Sequence, residues 1–247
     1  MKKLLLALLI FTVGQQASAQ VDTIHAQNHK LQLQNLKFGK VDYLVYFVDS
    51  VTQKRTVGDI WQRKTELATF QGRPTIKFTW DCLRNDTTFM AIVNYCDNKT
   101  LAPIYHYANY KGRGVVAFDY RNGMMVPSDT IKNNLGVKKG NTALTIPVIS
   151  WEQDLETYAL LPIKKVGQKF DIAFFDPNEK VPTYHRYEVA GKEDLVLNGD
   201  VKIKCWLLTI NYGRGSHATF WLTENTKEVV KMKEYFNGKY RIKVRQF

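Results

Sequence analysis

Cysteine is scarce in this chain, and long apolar runs are scarcer. There are three cysteines in 247 residues, Cys82, Cys96 and Cys205. No two stand at CxxC spacing, which excludes a thioredoxin-like redox motif and a zinc knuckle. Beyond Val13 no apolar segment is long enough to cross a bilayer, so no integral membrane span is expected after the first residues and the remainder should be soluble. The chain lacks a G-x-S-x-G elbow. Ser216-His217 puts a serine beside a histidine in sequence, but acyl-transfer triads are defined by geometry and not by adjacency. Gly213-Arg214-Gly215 is too short to cradle a phosphate and reads as a turn. Five histidines (His25, His29, His106, His185, His217) are scattered with no spacing that brings two together, so no metal and no cofactor is expected.

What is present begins with a leader. Lys2 and Lys3 precede an apolar run from Leu4 to Val13, and Ala17-Ser18-Ala19 supplies small residues at signal-peptidase spacing. This is the pattern of a cleaved secretory signal over residues 1–19, which predicts an exported, periplasmic or cell-envelope protein starting at Gln20. An oxidising compartment allows a disulfide. Cys82 and Cys96 are the candidate pair if their strands are neighbours, leaving Cys205 as a buried thiol. The net charge of +12 favours acidic surfaces such as anionic lipid headgroups, acidic glycans or acidic proteins. Nucleic acid would match the charge, but export and the absence of any nucleic-acid motif exclude it.

The body of the chain reads as antiparallel β. Val41–Val48 is dense in β-formers, with Gly39-Lys40 as a turn before it. Residues 49–72 carry a mixed signal. From Thr75 the period-two pattern returns: Ile76, Phe78 and Trp80 share a face, and Thr88–Tyr95, Leu101–Tyr107 and Gly114–Tyr120 follow. Asn85-Asp86, Asp97-Asn98, Lys111-Gly112 and Asn122-Gly123 separate them. The pattern lapses between Pro127 and Gly140, which divides an N-terminal β half (20–135) from a C-terminal one (136–247). Trp151, Leu155, Tyr158 and Ala159 fall on one face of a helix that Pro162 ends, with Ser150 and Gln153 placed for a capping box. A helix so short must pack on a sheet to persist. Strands resume at Lys169–Phe175, Thr183–Val189, Asp194–Leu197, Val201–Tyr212 and Ala218–Leu222. In Val201–Tyr212, Ile203, Cys205 and Leu207 line one face and Trp206, Leu208 and Ile210 the other, so both faces should be covered.

The final hairpin offers two registers. Asn237-Gly238 fits a two-residue turn, which sets Met232 opposite Lys243. A three-residue loop, Phe236-Asn237-Gly238, sets Met232 opposite Ile242 and keeps apolar and basic rows apart. The second is preferred, because a one-residue slip moves a whole apolar row to the wrong face. It gathers Lys231, Lys233, Lys239, Arg241, Lys243 and Arg245 into one outer basic patch. That patch serves either as a surface for anionic lipid or polysaccharide or as an edge ribbon protected by charge, and the second use is favoured.

From Trp151 to Phe247 the chain resembles the DUF3108 family of exported bacterial proteins. Leu155–Pro162 followed by Gly167-Gln168-Lys169-Phe170 is similar to that family's helix-then-strand stretch. Tyr187–Glu193 and Phe220-Trp221-Leu222-Thr223 running on to Glu228–Lys231 match as well. Thr100–Pro103 and Phe118-Asp119-Tyr120 match more weakly. The resemblance implies a mainly β, antiparallel, strongly curved or partly open barrel-like sheet with one short helix packed on it, akin to periplasmic lipoprotein carriers. It implies a concave surface able to hold an acyl chain or an apolar protein segment, and it carries no catalytic residues. A strand, Asn/Asp turn, threonine, strand pattern recurs at Tyr95–Leu101 and Trp221–Lys227, consistent with two related halves.

The expected function is therefore non-catalytic. The protein should bind an apolar or amphipathic ligand, a lipid or lipoprotein, or a partner protein through Trp151, Tyr158, Trp206, Leu208 and Trp221. Two alternatives stand beside it. One is a polysaccharide-binding or glycoside-cleaving protein, for which Asp119 and Glu188, flanked by aromatics, are the candidate carboxylates. The other is an assembly module that uses strand edges and has no pocket.

Overall fold

The computed structural model describes residues 21–197 and 199–247. The leader expected at 1–19 lies outside them. In chain order the elements are β1 (Val21–Ile24), β2 (Gly39–Asp49), β3 (Asp59–Phe70), β4 (Arg73–Arg84), β5 (Thr87–Asp97), β6 (Pro103–Tyr110), β7 (Gly114–Arg121), β8 (Met124–Pro127), β9 (Thr142–Ala143) and β10 (Ile149–Ser150). Then come α1 (Asp154–Tyr158), β11 (Lys169–Ile172), β12 (Phe174–Phe175), β13 (His185–Val196), β14 (Lys202–Gly213), β15 (Ser216–Thr223), β16 (Val229–Phe236) and β17 (Lys239–Arg245).

Fifteen of the strands form one sheet in the order β1-β11-β13-β14-β15-β16-β17-β2-β3-β4-β5-β6-β7-β8-β9. Every pairing in it is antiparallel except the parallel edge pair β1–β11. β10 and β12 make a separate two-stranded parallel ladder. The expectation of a strongly curved or barrel-like sheet is corrected by this order. It is linear, it ends at β1 and β9, and no ladder joins those edges. Both edge strands are short; beyond the end of β1, Ala26 N–H donates to Pro147 O, and the bond from Leu144 N–H to Gly123 O extends the β8–β9 pairing by one rung. Short edge strands are one way an open sheet avoids further pairing.

The tight turns follow from residue type. Asn122-Gly123 and Asn237-Gly238 have positive φ at both positions, and each joins its strands through a two-residue loop. That geometry matches the right-handed twist of the strands it connects. Two expected strands, Thr183–Val189 and Asp194–Leu197, are one: β13 runs through a bulge between Val189 and Gly191. Residues 49–72, with their mixed signal, contain all of β3. Its alternation was obscured because the face it buries carries Arg63 and Thr65 as well as Trp61.

The main core lies between α1 and the sheet face that α1 covers. Tyr158, Phe174, Tyr187 and Phe220 are fully buried and packed ring on ring, with Tyr158–Phe220 centroids 4.7 Å apart. The Tyr158 hydroxyl donates to that of Tyr187 at 3.0 Å, so the polar end of each ring is satisfied inside the core. The expected helix from Trp151 is shorter than its periodicity implied. Trp151–Gln153 is a 3₁₀ turn, and only Asp154–Tyr158 is α-helical. The capping box does not form, because the Ser150 hydroxyl donates to Glu152 Oε2 instead of accepting from the backbone.

Two further corrections concern β4–β5 and β16–β17. Cys82, Cys96 and Cys205 are free and buried. Cys82 faces Met90 across the ladder, whereas Cys96 faces Ile76. Ile76 and Cys82 are separated along β4 by roughly 20 Å at strand rise, far beyond disulfide reach. In the last hairpin, Met232 pairs with Lys243 and Phe236 with Lys239, so the two-residue Asn237-Gly238 turn is the one used. The basic row is thereby split. Lys231 and Lys233 share the outer face with Ile242 and Val244, while Arg241 and Lys243 lie on the α1 face with Met232 and Glu234. A wholly apolar inner face would favour the other register; this face instead holds Arg241, paired with Glu234, and Lys243.

Candidate functional site

The split row is the key to the site. Opposite partners in an antiparallel ladder share a face, and the registers carry one face across the sheet: Met232–Lys243–Val45, then Tyr43–Trp61–Cys82, and Val41–Arg63–Trp80–Ile92. The Trp151–Tyr158 segment lies over this face. Between them is a cavity of about 410 Å³. Trp61, Trp80, Tyr110, Trp151, Tyr212 and Phe220 supply its aromatic walls, and Met90, Ile92 and Met232 add apolar surface. Glu152, Asp154, Asp176, Glu234, Arg241 and Lys243 supply its charge. Its volume falls within the roughly 300–1,000 Å³ typical of small-molecule sites.

Most of that charge is internally matched. Arg63 is 3 % exposed and lies between the sheet and α1. Its Nε donates to Glu156 Oε1 at 2.8 Å, its Nη2 reaches Glu156 Oε2 and the Glu152 carbonyl, and Asp154 Oδ1 is 3.4 Å away. Its guanidinium stacks 3.8 Å over the Trp80 ring. The carboxylates around it hold its pKa above the usual arginine value, although burial acts the other way. Arg241 pairs with Glu234 through Nε at 2.6 Å. Asp176 Oδ1 accepts from the Asn178 backbone and side-chain N–H groups. Burial pushes the Glu152 carboxyl up to about 7, against the opposing hydrogen bond from Ser150. His106 lies 3.9 Å from Glu152 and 2.8 Å from Asn94 Oδ1, and burial pushes it down to about 4.

Lys243 is the exception. It is 4 % exposed, yet no carboxylate lies within ion-pair distance of it among the described residues. Its ammonium sits 4.7 Å from the Trp61 ring centre and 5.7 Å from that of Trp80, so ring faces replace a counter-ion. Burial pulls its pKa down to about 8.

Of the residues expected to bind ligand, only Trp151 lines this cavity. Tyr158, Trp206 and Leu208 belong to the packed core, and the Trp206 Nε1 donates to Glu224 O. Trp221 is on the opposite face, where Glu193 accepts from its Nε1 and Lys231 sits over its ring. Asp119 and Glu188 do not come together: Asp119 is in β7, while Glu188 in β13 is 3.6 Å from Lys169. Sequence reading missed Trp61, Arg63, Trp80 and Glu152. Strict alternation through Trp61, Arg63 and Thr65 was the available signal, hidden by a charged residue on the inward side.

A second, smaller groove of about 270 Å³ lies on the other side of Arg63, lined by Leu36, Phe38, Val41, Leu155, Ala159 and Arg245 among others. Among the described residues, no helix is long and apolar enough to cross a membrane, and no His/Cys/Asp/Glu group has the arrangement of a metal site.

Comparison with known proteins adds a family but no activity. No curated protein sequence matches the chain. A crystal structure described as a beta-barrel-like protein of domain of unknown function DUF1849 from Brucella abortus is similar at 11 % identity. It covers 85 % of this chain and 96 % of that one with a TM-score of 0.47. A DUF1329 family protein from Desulfovibrio piger is similar at 9 % identity, covering 87 % and 86 % with a TM-score of 0.32. The model of the protein-of-unknown-function family DUF3108 matches residues 42–245, which include nearly every strand and the whole cavity, and the chain belongs to that family.

Proposed function

We propose that this is a non-catalytic cell-envelope protein that binds an amphipathic ligand, of the size of a lipid or a lipid fragment, in the cavity beneath Trp151. The leader pattern at residues 1–19 supports export. The observation that carries the reading is the cavity itself, where six aromatic rings meet a small number of buried charges. Binding sites have this composition: apolar walls supply affinity and a few polar groups fix orientation. Titration with the neutral fluorescent probe N-phenyl-1-naphthylamine tests it. Saturable enhancement is expected, and Met90→Trp, which adds bulk to the cavity wall, should weaken it several-fold while leaving the thermal midpoint nearly unchanged. Enhancement that M90W leaves intact would place the probe elsewhere and refute the reading.

One observation favours a second reading, a glycan-binding or glycan-cleaving protein. Glu152 and Asp176 line the same cavity as Trp61, Trp80 and Trp151, and Glu152 has the raised pKa of a general acid. Release of reducing sugar from envelope polysaccharide, abolished by Glu152→Gln, would establish it. No release under any condition leaves binding as the function.

A further inference from the structure

Four donor groups at the Lys243 end of the cavity or directly behind it have no acceptor among the described residues. Trp61 Nε1, Trp80 Nε1 and Arg63 Nη1 are buried without a hydrogen-bond partner. The Lys243 ammonium has neither a hydrogen bond nor an ion pair there. These groups are neighbours: the two indoles are 5.8 Å apart, Arg63 stacks on Trp80, and Lys243 lies against both rings. A tryptophan or guanidinium N–H can only donate, and each buried donor left unmatched is costly. Neighbouring acids do not answer them: Asp154 and Glu156 are engaged by Arg63, Glu234 by Arg241, Glu152 by Ser150 and Asp176 by Asn178.

Resting on the amphipathic-ligand reading above, we infer that the polar end of the ligand is an anion, a carboxylate or a phosphate, seated among Lys243, Trp61 and Trp80. An anionic oxygen brings lone pairs to the orphan indole donors and a counter-charge to Lys243, and hydrogen bonds to charged groups are the stronger kind. The apolar body then runs along Met90, Ile92 and Phe220.

Calorimetric titration with dodecanoate, dodecyl phosphate and neutral 1-monododecanoylglycerol, each below its micelle concentration, tests this. At least one of the two anions should bind ten-fold or more tightly than the neutral amphiphile, and the tighter one identifies the headgroup. Lys243→Met should bring the three to within about three-fold of each other, and Trp80→Phe, which removes the indole N–H together with one of its two fused rings, should narrow the gap without abolishing binding. Equal affinity for all three in the wild type overturns the anion assignment while leaving the binding reading intact. Failure of all three to bind refutes that reading, and the anion assignment with it. The wild-type comparison stands even if a variant does not fold.

Discussion

At the scale of single residues, two buried charges carry opposite consequences. Arg63 is matched by Glu156 and Asp154 and stacked on Trp80. Removing one partner of such a pair strands the other, which costs about 3–5 kcal/mol. Arg63→Met should therefore lower the urea midpoint sharply, and a variant within 1 kcal/mol of wild type would mean that the pair is solvated. Lys243 is instead strained by burial. Its pKa is about 8 against an ordinary 10.5, so the folded state disfavours its charge. Its contribution to stability rises between pH 8 and 10.5 and is absent below, and Lys243→Met should remove that rise.

Glu152 behaves in the opposite sense. Its carboxyl is held near 7 against an ordinary 4.5, so it favours the folded state below pH 4.5, and that advantage is lost as pH climbs to 7. His106, depressed to about 4, favours the folded state increasingly from pH 4 to 6.5. The two slopes oppose each other, and the wild type should be nearly flat between pH 4.5 and 6.5. Glu152→Gln exposes the histidine slope: relative to wild type its stability should rise from pH 4.5 to 7 by at most about 3 kcal/mol. Parallel urea midpoints for the two proteins across that range would contradict the assignment.

At the scale of elements, the irregular segment after β8 is held by one side chain. Asn134 Oδ1 accepts from the Ala117 and Gly136 amides, and its Nδ2 donates to the Ala117 and Ser128 carbonyls. No solvent replaces those partners, because Asn134 is buried. Asn134→Ala should cost roughly 1–3 kcal/mol and should raise hydrogen exchange at Ala117 and Gly136 more than elsewhere. The strands themselves were legible in sequence wherever apolar residues alternate with polar ones, as at Ile76, Phe78 and Trp80. Two things misled it. The β16–β17 register departs from the sequence expectation because Arg241 and Lys243 face inward, where Glu234 and two indole rings receive them. The Trp151 helix was overextended because its apolar period continues through a 3₁₀ turn.

At the scale of the whole molecule, the site is a product of topology. Lys243 stands in β17, Trp61 and Arg63 in β3, Trp80 in β4 and Glu152 just before α1, so that β17 must pair with β2 before the charges can meet. No local motif encodes that, which is why composition and spacing revealed a β protein but not the cavity. The sheet is open, with its edges short, so that the cavity side depends on the Trp151–Tyr158 segment as a cover rather than on closure. The absence of any cross-strand disulfide has its own consequence. A reducing agent should leave the thermal midpoint unchanged, and thiol titration of unfolded protein should find all three cysteines reactive.

Tryptophan placement makes the decisive measurement available. Trp61, Trp80 and Trp151 line the cavity, whereas Trp206 and Trp221 do not. Titration with 11-bromoundecanoate, a heavy-atom quencher carried on an anionic amphiphile, should quench part of the emission saturably. The emission that remains should be that of Trp206 and Trp221, and Trp61→Phe combined with Trp80→Phe should remove most of the saturable part. Quenching that grows linearly without saturation, or that survives in the double variant and disappears when Trp206 or Trp221 is replaced, would contradict a ligand seated beneath Trp151.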